Sequence, residues 1–422
     1  MKSNRENRDQ PPRMLRVRHI ELSEKHTRLR VVLFIVLLAV GIGALIYGTV
    51  HYLTTGSGWR EITADTSVGE SYSGEIFFYY DISGNGSAAG VEYRQVRALY
   101  SEASVYVYRL FHPTEEFAGV YNLAYLNRRI NEPVTVDAAL YRALEQIVAA
   151  GNRTVFYAPY YGYYQNLFFC NDPSETENYD PLQNEAIAAE FARYADHVDD
   201  PDSIRLELLG DNRVCLHVSE DYLALMRECG VEAPVDFFWL RNAFVLDYLA
   251  GVLTEHGFTN GALSSFDGYV RSLDTRGTEF SLPLYSREDA KTVAVGEVVY
   301  HAPMSFVTLR DYPLNGLDGM NYFVFDPTDV RHPYVNAQGY CRAALPQLVC
   351  ASTSGGCAEI ALHMADVYLA DAFDLAALCA LAEQGIGGIF IRDSAICYTD
   401  PALEPLLRAA DGYRTERHDL PE

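Results

Sequence analysis

The sequence predicts an α+β domain behind a single N-terminal transmembrane helix. Residues 31–50 form an apolar run without a single charge, VVLFIVLLAVGIGALIYGTV. Beyond residue 70, β-prone stretches rich in Tyr, Val and Phe are interspersed with apolar helical patterns. The composition, 49% hydrophobic and 21% charged, is that of a globular protein with a sizeable core.

The N-terminal run has the length of a membrane span. At about 1.5 Å per residue, a helix over 31–50 covers roughly 30 Å, the hydrocarbon thickness of a bilayer. Positions 1–30 carry nine Lys or Arg against four Asp or Glu. The positive-inside rule therefore predicts a cytoplasmic basic arm at 1–30, a signal anchor at 31–53 in the lipid bilayer, and an extracytoplasmic remainder. A cleaved signal peptide and a buried core helix are the alternatives, although no small-x-small cleavage site follows the run.

The net charge and the cysteine spacing argue against a nucleic-acid partner and against a zinc site. The chain of 422 residues has a net charge of −24, and without the basic arm the charge is about −29. Nucleic acid is excluded as a partner of so acidic a surface. The eight cysteines show no C-x-x-C and no Cys/His pair at zinc spacing, which argues against a zinc site.

The first half of the outer part begins with a polar linker, 54–70, and an aromatic, β-prone stretch, 72–80. Residues 91–108 fit either a strand or a helix. The clearest helix is 136–151, with Asp137 or Thr135 as its cap and Gly151 as its stop. The tyrosine-rich stretch 157–164 indicates either aromatic packing under a loop or a stacking wall for a planar ligand.

The second half begins with a β-hairpin at 205–216, turning at Gly210-Asp211-Asn212. Ser219 caps a following helix, and 235–270 reads as strand, helix and strand. Further strands are predicted at 293–307, 322–325, 347–351 and 385–391. A helix over 357–369 continues, or restarts, through 370–383.

Three acidic residues lie in this last, otherwise apolar helical pattern: Asp366, Asp371 and Asp374. A separation of three places Asp371 and Asp374 on one helical face, where two carboxylates suit Mg²⁺. A solvated stripe of an amphipathic helix is the alternative. The turn 264–268 has a similar ambiguity, because its backbone amides could approach a phosphate or simply link two strands.

The order of segments from about 105 to 405 resembles the ApbE family, the FAD:protein FMN transferases. Leu126-Asn127 and the helix after Val134 resemble the family's Leu-Asn and the helix that follows it. Four later segments resemble the family's I-D-L-G-G-I-A-K-G, L-V-N-(F/I)-G-G, A-T-S-G-D-Y and H-I-I-D-P-x-T-G-Y-P motifs, and they contain Asp236, Gly268, Thr308 and His332 respectively. Finally, Ala370-Asp371-Ala372 resembles the start of A-D-A-L-S-T-A-L.

The resemblance implies an ApbE-like, T-fold-related domain over 71–422. It further implies Mg²⁺-dependent transfer of FMN from FAD to a Thr or Ser of an acceptor protein on the outer membrane face. Asp371 is then the catalytic and metal-binding residue, with Asp374 as a second metal candidate. The FAD-side candidates are Asp236, Gly268, Thr308, His332 and Tyr160.

Several family positions differ in this sequence. The Gly-Gly pair is Phe238-Trp239, the Lys is Asn242, and the metal-binding Thr is Leu375. The flavin-side F-D-P-T-x-G is the stretch 157–162, which lacks the Asp. These differences keep two alternatives open: a catalytically inactive module that binds a flavin or a protein, and a purely structural surface domain.

Overall fold

The computed structural model describes residues 56–288, 291–314, 318, 321–326, 328–335, 343–408 and 412–418, together with Val32, Leu33, Val36, Leu37 and Val40. The predicted basic arm 1–30 and most of the predicted anchor 31–53 lie outside the described residues. Where the chain is described, no helix combines the length and apolar character needed to cross a membrane. Contacts divide the chain into units 1–55 and 56–422, and the fold below is that of the second.

A mixed sheet forms the centre of this unit. Among the described residues it has nine strands, in the spatial order β1 (Gly58–Glu61), β2 (Ile76–Ile82), β6 (Gly261–Ser265), β7 (Tyr269–Ser272), β10 (Ser305–Arg310), β13 (Gln347–Ser352), β14 (Gly387–Arg392), β15 (Ala395–Tyr398) and β17 (Arg414–Arg417). Neighbouring strands are antiparallel except β15 and β17, which run parallel.

Both faces of the main sheet are covered. In β13, Leu348 and Cys350 point into a core shared with the helices, whereas Val349 and Ala351 point into a second core. The second core is closed by β8 (Phe280–Glu288) and β9 (Lys291–Tyr300), and β16 (Leu406–Leu407) pairs with the edge of β9. Every residue of β13 is therefore buried, which explains the apolar run 348–351 within it.

The helices lie on the first face of the sheet. They are α1 (Ser87–Phe111), α2 (Leu123–Asn127), α3 (Ala138–Ala150), α4 (Ala158–Tyr164), α5 (Glu185–Val198), α6 (Glu220–Glu228), α7 (Arg241–Glu255), α8 (Cys357–Tyr368) and α9 (Leu375–Ala380). Two small sheets complete the fold: β3 (Val134–Thr135) with β5 (Arg213–Val218) and β4 (Ile204–Gly210), and β11 (Phe323–Asp326) with β12 (Asp329–Arg331).

Helix α7 is the element that positions the rest of the helical layer. It packs against α1 and α8 and lies over β6 and β7. From the middle of α7, Asp247 accepts hydrogen bonds from the backbone N–H groups of Cys357 (2.9 Å) and Ala358 (2.8 Å). A carboxylate at these N–H groups offsets the positive end of the α8 dipole, so α7 fixes where α8 begins.

Local sequence signals predicted several elements correctly. Gly151 ends α3 in the left-handed conformation, and Ser219 caps α6 by accepting from the Tyr222 N–H. The β4–β5 hairpin turns at Asp211 and Asn212, both with positive φ. The ambiguous stretch 91–108 is helical and belongs to α1.

Two expectations were wrong, and a third, that the helix after 369 continues or restarts through 370–383, was right only in its second form. Part of the predicted linker 54–70 is strand β1, because the edge of β2 offers it a pairing partner. The predicted strand at 235 is irregular and continues into a short 3-10 helix, Phe238–Leu240. The predicted helix 370–383 begins only at Leu375, because the Asp374 side chain accepts from the Ala376 N–H and caps a new helix there.

Candidate ligand-binding site

A polar cavity of about 210 Å³ lies at the start of α7. Its lining comes from chain segments that are far apart in sequence. The residues are Glu75, Tyr161, Gly162, Gln165, Asp236, Phe238, Trp239, Arg241, Asn242, Phe266, Asp267, Tyr269, Asp318, Asn321, Tyr322, Pro333 and Tyr334. Acids, amides and aromatic rings thus meet in one enclosed space.

The first two residues of α7 hold two carboxylates at the cavity. Arg241 donates to Glu75 Oε2 at 2.6 Å. Asn242 donates through Nδ2 to Glu75 Oε2 (3.0 Å) and to Asp267 Oδ2 (2.9 Å). An arginine at a helix N-terminus opposes the helix dipole, so the ion pair with Glu75 explains why it is found there. Its guanidinium also lies 4.3 Å from the centre of the Tyr72 ring.

Two acids of the cavity, Asp267 and Asp236, have raised pKa values. Burial raises the pKa of Asp267 to about 6, although hydrogen bonds with Ser265 and Asn242 act in the opposite direction. Burial also raises the pKa of Asp236, against the lowering effects of the Phe238 N–H and the Arg241 charge. Charged carboxylates are therefore disfavoured here unless a ligand compensates them.

Five buried polar atoms at the cavity have no hydrogen-bond partner among the described residues. They comprise two donors and three acceptors: Trp239 Nε1, Arg241 Nε, Asn242 Oδ1, Asp267 Oδ1 and Asp318 Oδ1. Each unsatisfied group costs about 1–3 kcal/mol. A ligand that offers both donors and acceptors would remove this cost, which is the strongest indication that the cavity is a binding site.

Aromatic side chains form the cavity walls and reduce its volume. The Trp239 and Tyr334 rings meet edge to face, with centroids 5.2 Å apart, and Tyr269 donates to the Trp239 carbonyl at 2.8 Å. Phe238 adopts φ 56°, a conformation that a bulky residue rarely takes, and its ring lies against Tyr161. The Phe238-Trp239 pair thus occupies part of the space at the cavity.

Of the predicted FAD-side residues, Asp236 lines the cavity directly. Gly268 and Thr308 lie beside each other, because the Thr308 N–H donates to the Gly268 carbonyl at 2.9 Å. Gly268 has φ 106°, and a Cβ added there would collide with the Thr308 carbonyl oxygen. This contact fixes the turn between β6 and β7, which presents Asp267 and Tyr269 to the cavity.

His332 supports the cavity wall from behind. It is buried, its Nδ1 accepts from the Tyr334 N–H at 3.2 Å, and its carbonyl accepts from the Tyr164 hydroxyl at 3.1 Å. Burial, with a smaller contribution from the Arg331 charge, lowers the His332 pKa to about 3, so the ring is neutral. The next residues, Pro333 and Tyr334, line the cavity. The side chain of Tyr160, another predicted FAD-side residue, lies outside the part of the structure that is described.

The predicted metal ligands lie elsewhere and do not share a helical face. Asp371 is exposed in a bend between α8 and α9, and the Asp374 carboxylate caps α9. Neither is among the described residues that line the cavity. Among the described residues, three side chains that could bind a metal come close together, and neither Asp371 nor Asp374 is one of them. Their role as Mg²⁺ ligands stays a prediction.

Sequence reasoning missed Glu75, Arg241 and Asp318. Glu75 and Arg241 are 166 positions apart, so no local spacing connects them. One signal was present: Arg241 directly follows the 237–240 stretch and stands at the N-terminus of a helix, where the helix dipole disfavours a positive charge. That position calls for an acidic partner.

A larger groove of about 590 Å³ adjoins the cavity and shares Gly162 and Asp236 with it. Glu190, Glu228 and Glu232 line this groove. An acidic groove repels phosphate groups unless a cation accompanies them.

Comparison with family models and with curated protein sequences gives no match. Solved structures do match. The ApbE protein from Thermotoga maritima has 12% sequence identity and a TM-score of 0.52, over 79% of this chain and 94% of that chain. The flavin transferase ApbE from Vibrio cholerae has 11% identity and a TM-score of 0.52, over 84% of this chain and 98% of that one. At such low identity the likeness concerns the fold, and the predicted ApbE-like fold is confirmed: this chain has the mixed α/β fold of the ApbE flavin transferases.

Proposed function

We propose that the cavity at the start of α7 binds the ring system of a flavin. One observation supports this proposal above the others. Four chain segments that the family resemblance assigns to the FAD side, at 157–162, 236–242, 266–269 and 332–334, converge on this one cavity. Segments so far apart in sequence meet here although most of their motif residues have changed.

The chemistry of the cavity suits an isoalloxazine. The ring is planar, and its pyrimidine edge carries two carbonyl acceptors on either side of an N–H donor. Trp239 Nε1 and Arg241 Nε are donors without partners among the described residues, and Asn242 Oδ1 and Asp267 Oδ1 are acceptors of the same kind. The aromatic walls supply stacking surface.

The volume of the cavity limits what it can enclose. About 210 Å³ is below the roughly 300–1,000 Å³ of sites for drug-sized ligands. The cavity therefore suits a ring system and not a whole dinucleotide. The remainder of FAD would extend through Gly162 and Asp236 into the acidic groove, where its diphosphate meets repulsion.

Transfer of FMN from FAD to a Thr or Ser of an extracytoplasmic acceptor protein is the second candidate function. The fold favours it, because solved structures with this fold include a flavin transferase. It requires Mg²⁺, for which Asp371 and Asp374 are the candidate ligands. Neither residue is among the described residues that line the cavity, so the geometry of the cavity supports flavin binding more directly than transfer.

We further propose that residues 31–53 anchor the chain in the cell membrane, with the arm 1–30 in the cytoplasm and the domain outside. The uncharged run and the excess of basic residues before it support this proposal. A protease added to sealed cells would then degrade the domain and spare the arm. Protection of the domain would contradict this topology.

The flavin proposal is tested by titrating the full-length chain, in detergent, into riboflavin, FMN and FAD while flavin fluorescence is followed. We expect quenching with riboflavin and FMN, and weaker binding of FAD. AMP release from FAD with Mg²⁺, abolished in Asp371→Asn, would support transfer. Absence of binding for all three flavins would overturn the proposal.

A further inference from the structure

A second group of reactive side chains lies at the far edge of the main sheet. Strands β15 and β17 run parallel there, with Cys397 directly opposite Glu416. The backbone N–H of His418 donates to the backbone carbonyl of Tyr398 at 2.9 Å, which continues the pairing past the end of β17. Side chains two residues apart on a strand point to the same face, so Glu416 and His418 lie on the same side as Cys397.

The potential ligand atoms of these three residues converge. Cys397 Sγ, a Glu416 carboxylate oxygen and a His418 ring nitrogen all lie within 4.8 Å of one another. His418 Nε2 is 3.5 Å from Glu416 Oε1; it is buried and has no hydrogen-bond partner among the described residues. A buried imidazole nitrogen without a hydrogen-bond partner, beside a thiol and a carboxylate, would be satisfied by a bound cation.

We infer that Cys397, Glu416 and His418 bind a thiophilic divalent cation such as Zn²⁺. A thiolate, an imidazole and a carboxylate are the ligand types that zinc uses, and three protein ligands leave a fourth, tetrahedral position for water. Binding releases the thiol proton of Cys397 to solvent, and the cation takes its place. Hard cations such as Mg²⁺ are disfavoured, because two of the three ligands are sulfur and nitrogen.

The surroundings hold these side chains in place. The His418 ring stacks on Phe390, with centroids 5.8 Å apart and an interplanar angle of 29°. Phe390 in β14 is the pairing partner of Cys397 and also contacts Phe373. An apolar platform thus orients the imidazole and limits water beneath the site. The 20 residues between Cys397 and His418 explain why no zinc spacing is visible in the sequence.

A bound cation would attach the short strand β17 to the sheet. This strand pairs with β15 along one edge, and all four of its residues are exposed. Because few apolar contacts secure it, a cation that bridges Cys397 in β15 to Glu416 in β17 and to His418 directly after it would add stability at this edge. We therefore expect metal removal to loosen β17 and leave the flavin cavity intact.

The test uses the full-length, tag-free chain after treatment with a chelator. Titration with Co²⁺ should give a thiolate-to-cobalt charge-transfer band in the near ultraviolet and tetrahedral d–d bands, and Zn²⁺ should displace one equivalent. In Cys397→Ser the charge-transfer band should disappear. His418→Gln and Glu416→Gln should weaken Zn²⁺ binding at least about tenfold.

Cys170→Ser and His256→Gln are the matched controls, because both residues lie outside the site and should leave the titration unchanged. Circular dichroism establishes that each variant is folded, and Glu416→Gln, an exposed position, keeps the test valid if Cys397→Ser does not fold. Cobalt spectra without a thiolate band, or equal Zn²⁺ binding by all variants, would overturn the inference.

Discussion

Two groups of acidic residues in this chain differ completely in their surroundings. Asp371 and Asp374 lie in a bend and at a helix cap, where both residues are exposed. Asp267 and Glu75 lie at the cavity, where Arg241 and Asn242 hold them. The difference teaches that a carboxylate in a family-like motif is weaker evidence of a site than a buried carboxylate with a raised pKa, such as that of Asp267, beside unsatisfied polar atoms.

The turn that carries Asp267 gives the largest expected effect. In Gly268→Ala the new Cβ meets the Thr308 carbonyl oxygen at a positive φ. We expect the free energy of unfolding to fall by at least about 2 kcal/mol, measured by urea denaturation. Gly251→Ala in α7 is the control, because its Cβ meets nothing within 4 Å; it should be neutral or stabilising. Equal losses in both variants would mean that this turn does not hold the cavity.

The raised pKa of Asp267 gives the next effect. A carboxyl with a folded-state pKa of about 6, against an ordinary 3.8, adds stability below about pH 4 that is lost as the pH rises through 6. Asp267→Asn removes this loss. Between pH 4 and pH 7.5, the wild type should therefore lose about 2 kcal/mol more unfolding free energy than Asp267→Asn does.

Urea denaturation of both proteins at the two pH values measures this difference. Asp311, whose pKa burial also raises to about 6, is present in both and cancels from the comparison. If the wild type and Asp267→Asn show the same change between the two pH values, the buried acid of the cavity behaves like an exposed one.

The exposed acids give the smallest effects. Asp374→Ala removes a helix cap and should cost about 1 kcal/mol of unfolding free energy. Asp371→Asn, an exposed substitution in a bend, should change it by less than about 0.5 kcal/mol. Thermal unfolding of the two variants measures both values. A loss from Asp371→Asn as large as that from Gly268→Ala would show that the bend matters more than its exposure suggests.

Local signals and segment order carried the sequence prediction as far as the fold. The cap at Ser219, the stop at Gly151 and the turn at Asp211 act within a few residues, so they are readable from the sequence. The order of family-like segments predicted the ApbE fold although only about one residue in nine is identical. The same order indicated Asp236, which lines the cavity, and the turn at Gly268, which supports the cavity wall.

Contacts between residues far apart in the chain could not be predicted from the sequence. Glu75, directly before β2, pairs with Arg241 at the start of α7, and Cys397 meets His418 only because β15 and β17 run parallel. Asp371 and Asp374 were placed on one helical face because the apolar period continues through 370–383. The helix period alone cannot reveal that Asp374 caps a new helix instead of continuing the old one.

The most direct test of the cavity as the ligand site is the dissociation constant for riboflavin in Trp239→Phe and in Asp371→Asn. Trp239→Phe keeps an aromatic ring and removes the Nε1 donor that has no partner among the described residues. A lost hydrogen bond of about 1.4 kcal/mol corresponds to a tenfold weaker binding. We predict that increase for Trp239→Phe and no change for Asp371→Asn; the reverse pattern would contradict the account.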